Sequence, residues 1–375
     1  MKNVGIYVHF PFCVSKCKYC NFNSYQDKNH LQLDYFRALL KELNGYLLKD
    51  ICIDTIFIGG GTPSLMFDGA ISTLLSEIKK SFNVLDNAEI TIEANPNSVT
   101  LSKAREWKES GVNRVSVGLQ TTNSSSLRII GRAHTRNDYV EAIDILKSVG
   151  ISNINTDCLI GIPRQKLSNV KHMLNLVNKL ECTHVSVYSL ILEEDTPLYK
   201  MVKRGDVKLP KEEKVLNMYN FAYEYLKNKG YCRYEVSNFA KEGFECQHNM
   251  HTWQMHEYIG VGAGAHGYID GVRYSNVTSI EDYIDCIGKG KSPIEVKEKI
   301  SKEEIYEETI MLGLRTKYGL DLKEIKNTYK KDLLKDKSEV INNLLKNNLI
   351  KIENEHIIAT DLGFTVLNKI IIDLI

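Results

Sequence analysis

Three cysteines, Cys13, Cys17 and Cys20, fall within eight residues, spaced C-x3-C-x2-C, with Tyr19 just before the last. Thiolates that share a metal centre must bring their sulfurs within a few ångströms of one another, and a short irregular loop does this without bending a helix. Three such ligands can hold three irons of a [4Fe–4S] cube and leave the fourth iron open to a substrate or cosubstrate. Zinc or incidental thiols are the alternatives. Zinc favours paired C-x2-C knuckles, and the chain has no second C-x2-C.

The segments that would position this loop follow a regular pattern. It comes after a strand-like apolar run, Val4 to His9. Gly59-Gly60-Gly61-Thr62-Pro63-Ser64 follows a second run, Thr55 to Ile58. Glycines there let backbone N–H groups turn toward a ligand, although such a triplet alone is usually a plain turn. Glu93 ends a third run, Glu89 to Glu93; taken singly it could merely cap the next loop. Gln120 closes the motif that begins in the fourth run, Arg114 to Val117, and Gly131-Arg132-Ala133-His134 is expected in the helical segment after it. Asp157 lies in a fifth run, Ile154 to Leu159, and Tyr188 in a sixth, His184 to Leu190, where it suits a core equally well. Helix-periodic stretches separate them: Leu31–Leu48, Gly69–Ser81, Leu101–Ser110, a segment near Ser124, Asp138–Val149 and Val170–Leu180. Six β-then-α units imply an α/β fold with a parallel sheet and crossover helices. Periodicity leaves open whether that sheet stays flat or curls into a barrel.

Past Leu190 the pattern changes. Leu192 to Leu198 reads as a polar breaker, Glu212 to Lys229 as a helix and Tyr231 to Val236 as a strand. Four of the ten histidines (His248, His251, His256 and His266) then crowd around Gly260-Val261-Gly262-Ala263-Gly264-Ala265-His266. Any one histidine is usually satisfied locally, but this density argues against coincidence. From about Lys291 the chain is Lys- and Glu-rich. Ser301 is a plausible N-cap with Glu304 as its box partner. Helices at Ile305–Leu314, Leu322–Tyr329 and Lys337–Lys346, a hairpin at Leu349–Ala359 and a last helix from Asp361 suggest a winged-helix-like unit.

The totals narrow the function classes. With 48 basic and 47 acidic residues among 375 there is no electrostatic footprint for nucleic acid, and none is expected as a partner. The other six cysteines are scattered singly, as reduced thiols are. Val4 to Phe12 is too short for a secretory leader and no apolar run approaches a membrane span, so the cytoplasm is the expected location.

Tyr7 to Ser24, YVHFPFCVSKCKYCNFNS, resembles the signature of the radical S-adenosylmethionine superfamily. More narrowly it is similar to the oxygen-independent coproporphyrinogen III oxidase family and its heme-chaperone branch. The resemblance implies a partial (β/α)6 barrel over 1–230, working at the carboxyl ends of its strands. A connecting region with a heme-binding motif over 231–290 and a small winged-helix-like α+β domain over 291–375 would follow. It also implies a [4Fe–4S] cluster on Cys13, Cys17 and Cys20, whose open iron chelates the amino and carboxylate groups of S-adenosylmethionine. Tyr7, Tyr19, Gly60, Gly61, Thr62, Glu93, Gln120, Arg132 and Asp157 match the positions that bind this cosubstrate. His248-Asn249-x-x-Thr252-Trp253 resembles the H-N-x-x-[YT]-W motif of the heme-chaperone branch, where the histidine is implicated in heme ligation.

Two departures separate the branches. The oxidases carry a fourth cysteine two residues after the third, and here that position is Phe22. They also carry a long extension before the cluster, and here only twelve residues precede Cys13. The expectation is therefore a heme-binding chaperone that passes heme to acceptor hemoproteins, with a decarboxylating coproporphyrinogen III oxidase as the alternative. A flavodoxin-type electron donor, peripheral membrane contact and a homodimer are left open.

Overall fold

The strand Arg114–Gln120 is buried at every position, as a parallel strand covered on both faces must be. It is the fourth of six parallel strands that lie side by side in chain order: β1 (Lys2–Phe10), β2 (Ile51–Gly60), β3 (Val84–Ala94), β4 (Arg114–Gln120), β5 (Asn153–Ile160) and β6 (His184–Ser189). The computed structural model describes residues 1–46 and 51–375. Helices α1 (Gln32–Leu43), α2 (Ala70–Ser81), α3 (Leu101–Ser110), α4 (Ser124–Ile130), α5 (Arg136–Ser148) and α6 (Leu167–Lys179) make the crossovers. Local chemistry starts them: the side chains of Thr100 and Asn123 cap α3 and α4, and Thr135 with Asp138 forms a capping box on α5.

After α7 (Pro197–Lys203) and α8 (Glu212–Asn228) the sheet grows at both edges. Strands β7 (Cys232–Arg233) and β8 (Asn238–Ala240) extend it antiparallel beyond β6. On the other side β9 (Tyr258–Val261) runs parallel to β1, followed outward by β10 (His266–Ile269), β11 (Val272–Asn276) and β12 (Ile294–Lys299). Among the described residues the result is one sheet of twelve strands with β12 and β7 at its edges, a barrel that does not close. Between β8 and β9 lies the short helix α9 (Gln247–Trp253), and α10 (Ile280–Gly288) packs beside α1.

A second core joins α11 (Lys302–Gly313), α12 (Leu322–Tyr329), α13 (Leu333–Asp336), α14 (Ser338–Lys346), α15 (Asp361–Phe364) and α16 (Leu367–Leu374). Its three-stranded antiparallel sheet pairs β13 (Leu320–Asp321) and β14 (Ile350–Glu353) with β15 (His356–Ala359), giving a winged-helix-like α+β unit. Ser301 and Glu304 form the expected capping box on α11. Arg233 ties this unit to the barrel: its guanidinium lies 3.7 Å from the Phe364 ring centre and 3.1 Å from Asp361.

Several expectations need correction. The helix expected over Leu31–Leu48 ends at Leu43, where Asn44 and Gly45 turn the chain; residues 47 and 48 lie outside the described residues. Arg132 is not in a helix. Helix α4 stops at Ile130 because Gly131, at φ +76°, takes the left-handed cap. The strand expected at Tyr231–Val236 shrinks to two residues, and the breaker near Thr196 starts α7 as its N-cap. Among the described residues, no helix is long and apolar enough to cross a membrane.

Candidate functional site

The loop carrying the three cysteines is held from both sides. Cys13 N–H donates to Tyr25 O at 2.9 Å, Lys18 N–H to Ile130 O at 2.9 Å, and Leu198 N–H to Lys18 O at 2.8 Å. The Lys16 ammonium donates to the carbonyls of Phe22 and Ser24 at 2.9 and 3.0 Å. All three thiols face a cleft of about 590 Å³ at the carboxyl ends of the parallel strands. The same cleft is lined by Tyr19, Gly60, Gly61, Thr62, Glu93, Gln120, Arg132 and Asp157. Eight of the nine positions expected around the cosubstrate thus converge, drawn from the carboxyl-terminal parts of four strands, the cysteine loop and the segment after α4.

A chain of hydrogen bonds joins two of the cysteines across the cleft. The Thr62 hydroxyl donates to Cys13 Sγ at 3.5 Å and accepts from Asn95 Nδ2 at 3.1 Å. Asn95 Oδ1 accepts from Arg132 Nη2 at 2.7 Å, and Arg132 Nη1 reaches Cys17 Sγ at 3.5 Å. Arg132 also donates to Gly118 O at 2.6 Å, and a Cβ on Gly118 would sit 2.7 Å from the guanidinium. Glycine is required there by close approach. Gln120, at φ +62°, is held in the left-handed region where the strand ends. Asn95, just past the end of β3, is a residue that sequence reasoning misses, because its side-chain partners Thr62 and Arg132 come from the segments after β2 and α4.

Two acidic side chains share the interior. Glu93 Oε2 accepts from Gly60 N–H at 3.0 Å, yet burial, and then the charge of Asp157, push its carboxyl up to about 7. Asp157 accepts from Ser116 Oγ and Asn155 Nδ2 at 3.1 and 2.8 Å. Burial raises the Cys13 and Cys20 thiols.

Two expected residues stand outside this lining. Tyr7 donates or accepts through its hydroxyl at His9 Nδ1, 2.9 Å away, and its ring stacks on Phe57. His248 is only 9% exposed: its Nδ1 shares a hydrogen bond with Thr55 Oγ1 at 2.9 Å, and its ring stacks on Phe57 at 5.3 Å. Its neighbour Asn249 reaches the cleft instead. Tyr188 lines the cleft and is 40% exposed, so it is no core aromatic.

Residues 7–177 match the Radical SAM superfamily, and residues 300–366 match the HemN C-terminal domain. The heme chaperone HemW of Bacillus subtilis is 35% identical over 97% of both chains. The chain belongs to the radical SAM superfamily, in its HemW branch. A HemW of Lactococcus lactis is likewise 35% identical, over 97% of this chain and 95% of its own. The solved coproporphyrinogen III oxidase HemN of Escherichia coli shares the fold at a TM-score of 0.88 and 20% identity, covering 100% of this chain and 90% of that one.

Membership of the radical SAM superfamily implies a [4Fe–4S] cluster and S-adenosylmethionine. The residues present fit both. Among the described residues no three His, Cys, Asp or Glu side chains converge to hold a single ion, whereas a cubane takes one thiolate on each of three irons. Beside the thiols, Arg132 Nε is buried with no hydrogen-bond partner among the described residues, a cationic donor left over for an anionic group.

Proposed function

We propose that this chain binds heme and delivers it to acceptor hemoproteins in the cytoplasm, on a body that holds the cluster on Cys13, Cys17 and Cys20. Cluster and S-adenosylmethionine together supply one-electron chemistry when bound. In the cleft, Glu93 receives the cosubstrate's ammonium, Arg132 its carboxylate, and Asp157 and Gln120 its hydroxyls. Tyr19, Gly60, Gly61 and Thr62 shape the wall next to the thiols. The segments 1–230, 231–290 and 291–375 divide the work into cofactor body, heme-binding region and cover.

The observation that carries this reading is Phe22. It lines the cleft beside the cluster loop and is 67% exposed, where related oxidases place a cysteine. A phenyl ring can transfer neither proton nor electron as a thiol does. It can instead lie against an apolar macrocycle.

His248 is ligand-ready in one respect. Burial pushes its imidazole down to about 3, so it is neutral at working pH. With Nδ1 engaged by Thr55, Nε2 is left for iron, the arrangement in which an outer partner orients a ligating ring. At 9% exposure the ring cannot meet a porphyrin as it stands, so α9 must swing out for ligation.

The reading is tested by incubating reconstituted protein anaerobically with coproporphyrinogen III, a reductant and S-adenosylmethionine, and separately with heme. The expected outcome is no protoporphyrinogen, with heme bound and its spectrum altered in His248→Ala. Product formed over many turnovers would sink the chaperone reading and restore the oxidase.

A further inference from the structure

The base of α9 holds a second group of polar side chains, away from the cysteine cleft. His251 is 6% exposed, and its Nε2 lies 3.0 Å from Asp54 Oδ2 on β2. A carboxylate can only accept, so Nε2 carries a proton, and in the neutral ring Nδ1 then offers a lone pair. That Nδ1 is buried with no hydrogen-bond partner among the described residues, and so is the other oxygen of Asp54. An orphaned nitrogen of this kind costs free energy unless something occupies it.

His256 faces it. The two imidazole centres are 5.0 Å apart with planes inclined by 71°. Two imidazoles bound to one tetrahedral ion through bonds of about 2.0–2.1 Å place their ring centres about 5 Å apart. The cap that ends α9 brings the two rings together: Met255 sits at φ +56°, in the left-handed region, and the N–H groups of Met255 and His256 return to Thr252 O and His251 O at 3.2 and 2.8 Å. A methionine there is strained by roughly 1 kcal/mol or more, and such strain persists where the surroundings demand it. The Asp54 carboxylate, bonded to the far nitrogen of His251, supplies the negative charge beside this pair of rings.

We propose that His251 Nδ1 and His256 bind a divalent transition-metal ion of the zinc type, completed by water, with Asp54 as a positioning residue acting through His251. The Asp54–His251 contact is the carboxylate–imidazole pair that fixes tautomer and ring orientation at metal centres. Heme iron does not fit this pair, because axial ligands stand on opposite faces of the macrocycle, whereas these rings meet edge to face on one side. The ion would pin the C-terminal end of α9 to β2, next to the segment that carries His248. The site does not require heme for its existence, although an ion that pins α9 would oppose the swing by which His248 reaches heme.

The test is calorimetric titration of Zn²⁺ into full-length protein with its cluster reconstituted, so that the cysteine loop is not available. One ion should bind per chain. His256→Ala, a change at an exposed side chain, should abolish binding, and Asp54→Asn should weaken it about 10–100-fold. Co²⁺ in place of Zn²⁺ should give a tetrahedral visible spectrum without sulfur charge-transfer bands. A Cys13→Ser, Cys17→Ser, Cys20→Ser triple variant should retain the site. Binding unchanged in His256→Ala, binding lost in the triple variant, or no binding by cluster-loaded wild type would each overturn the proposal.

Discussion

Asn95 shows what a single residue can do when its partners come from elsewhere. Its amide is the only bridge described between Thr62 on the Cys13 side and Arg132 on the Cys17 side. Asn95→Ala would leave a buried guanidinium short of an acceptor, and hydrogen bonds to charged groups are worth about 1.5–3 kcal/mol. S-adenosylmethionine affinity should therefore fall roughly tenfold or more while the cluster still assembles. Calorimetry on reconstituted protein checks this, and unchanged affinity would remove Asn95 from the account. Glu93 makes a pH prediction. Its carboxyl is raised in the fold from 4.5 to about 7, so the folded state holds a proton that the unfolded chain has lost. Its contribution to stability is complete below about 4.5 and is lost as pH rises to about 7 and beyond. Glu93→Gln should thus gain on wild type by on the order of 1–3 kcal/mol across that window, read from urea midpoints at successive pH values. A difference that stays flat with pH would contradict the assignment. The cysteine loop was legible from its spacing, whereas Glu93 and Asp157, which the fold brings to the same cleft, were marked only by the family resemblance. Asn95 was not, because an asparagine after a strand is also ordinary turn chemistry.

At the level of elements, the six parallel strands were readable and the flanking ones were not. Strands β1 to β6 are Val- and Ile-rich stretches that alternate with helix-periodic segments, the pattern of a parallel sheet with crossover helices. Strands β9 to β12 are short, and two of them contain glycines where neighbouring backbone comes too close for a side chain, at Gly260 and Gly267. Glycine there erases the alternation by which strands are recognised. Helix α9 is the element whose behaviour decides the heme question. Its first turn is anchored from β3: the Glu89 carboxylate accepts from Gln247 N–H at 3.0 Å and from His248 N–H at 3.1 Å. If ligation by His248 needs α9 to swing, Glu89→Gln should lower stability by about 1–2 kcal/mol and speed heme association. Stopped-flow mixing with heme measures the rate. A weaker fold with an unchanged association rate would mean that α9 stays in place and the ligand lies elsewhere.

In the molecule as a whole, α9 packs on β2 through His248 and His251 while its Asn249 reaches the cofactor cleft. His248 is buried by Thr55, a residue 193 positions away in the chain, and no local pattern could have announced that. The winged-helix-like unit, by contrast, was visible from caps and periodicity, since its elements are built from near neighbours. The proposed function rests on two features of this body, Phe22 exposed in the cleft and a shielded imidazole at His248. The most direct measurement is transfer itself. Heme-loaded protein is mixed with a heme-free b-type hemoprotein, and the acceptor's Soret band is followed over a range of acceptor concentrations. A chaperone that hands over its cargo should give a transfer rate that rises with acceptor concentration and drops in His248→Ala. A rate independent of acceptor, and equal to spontaneous heme loss from the loaded protein, would contradict the account.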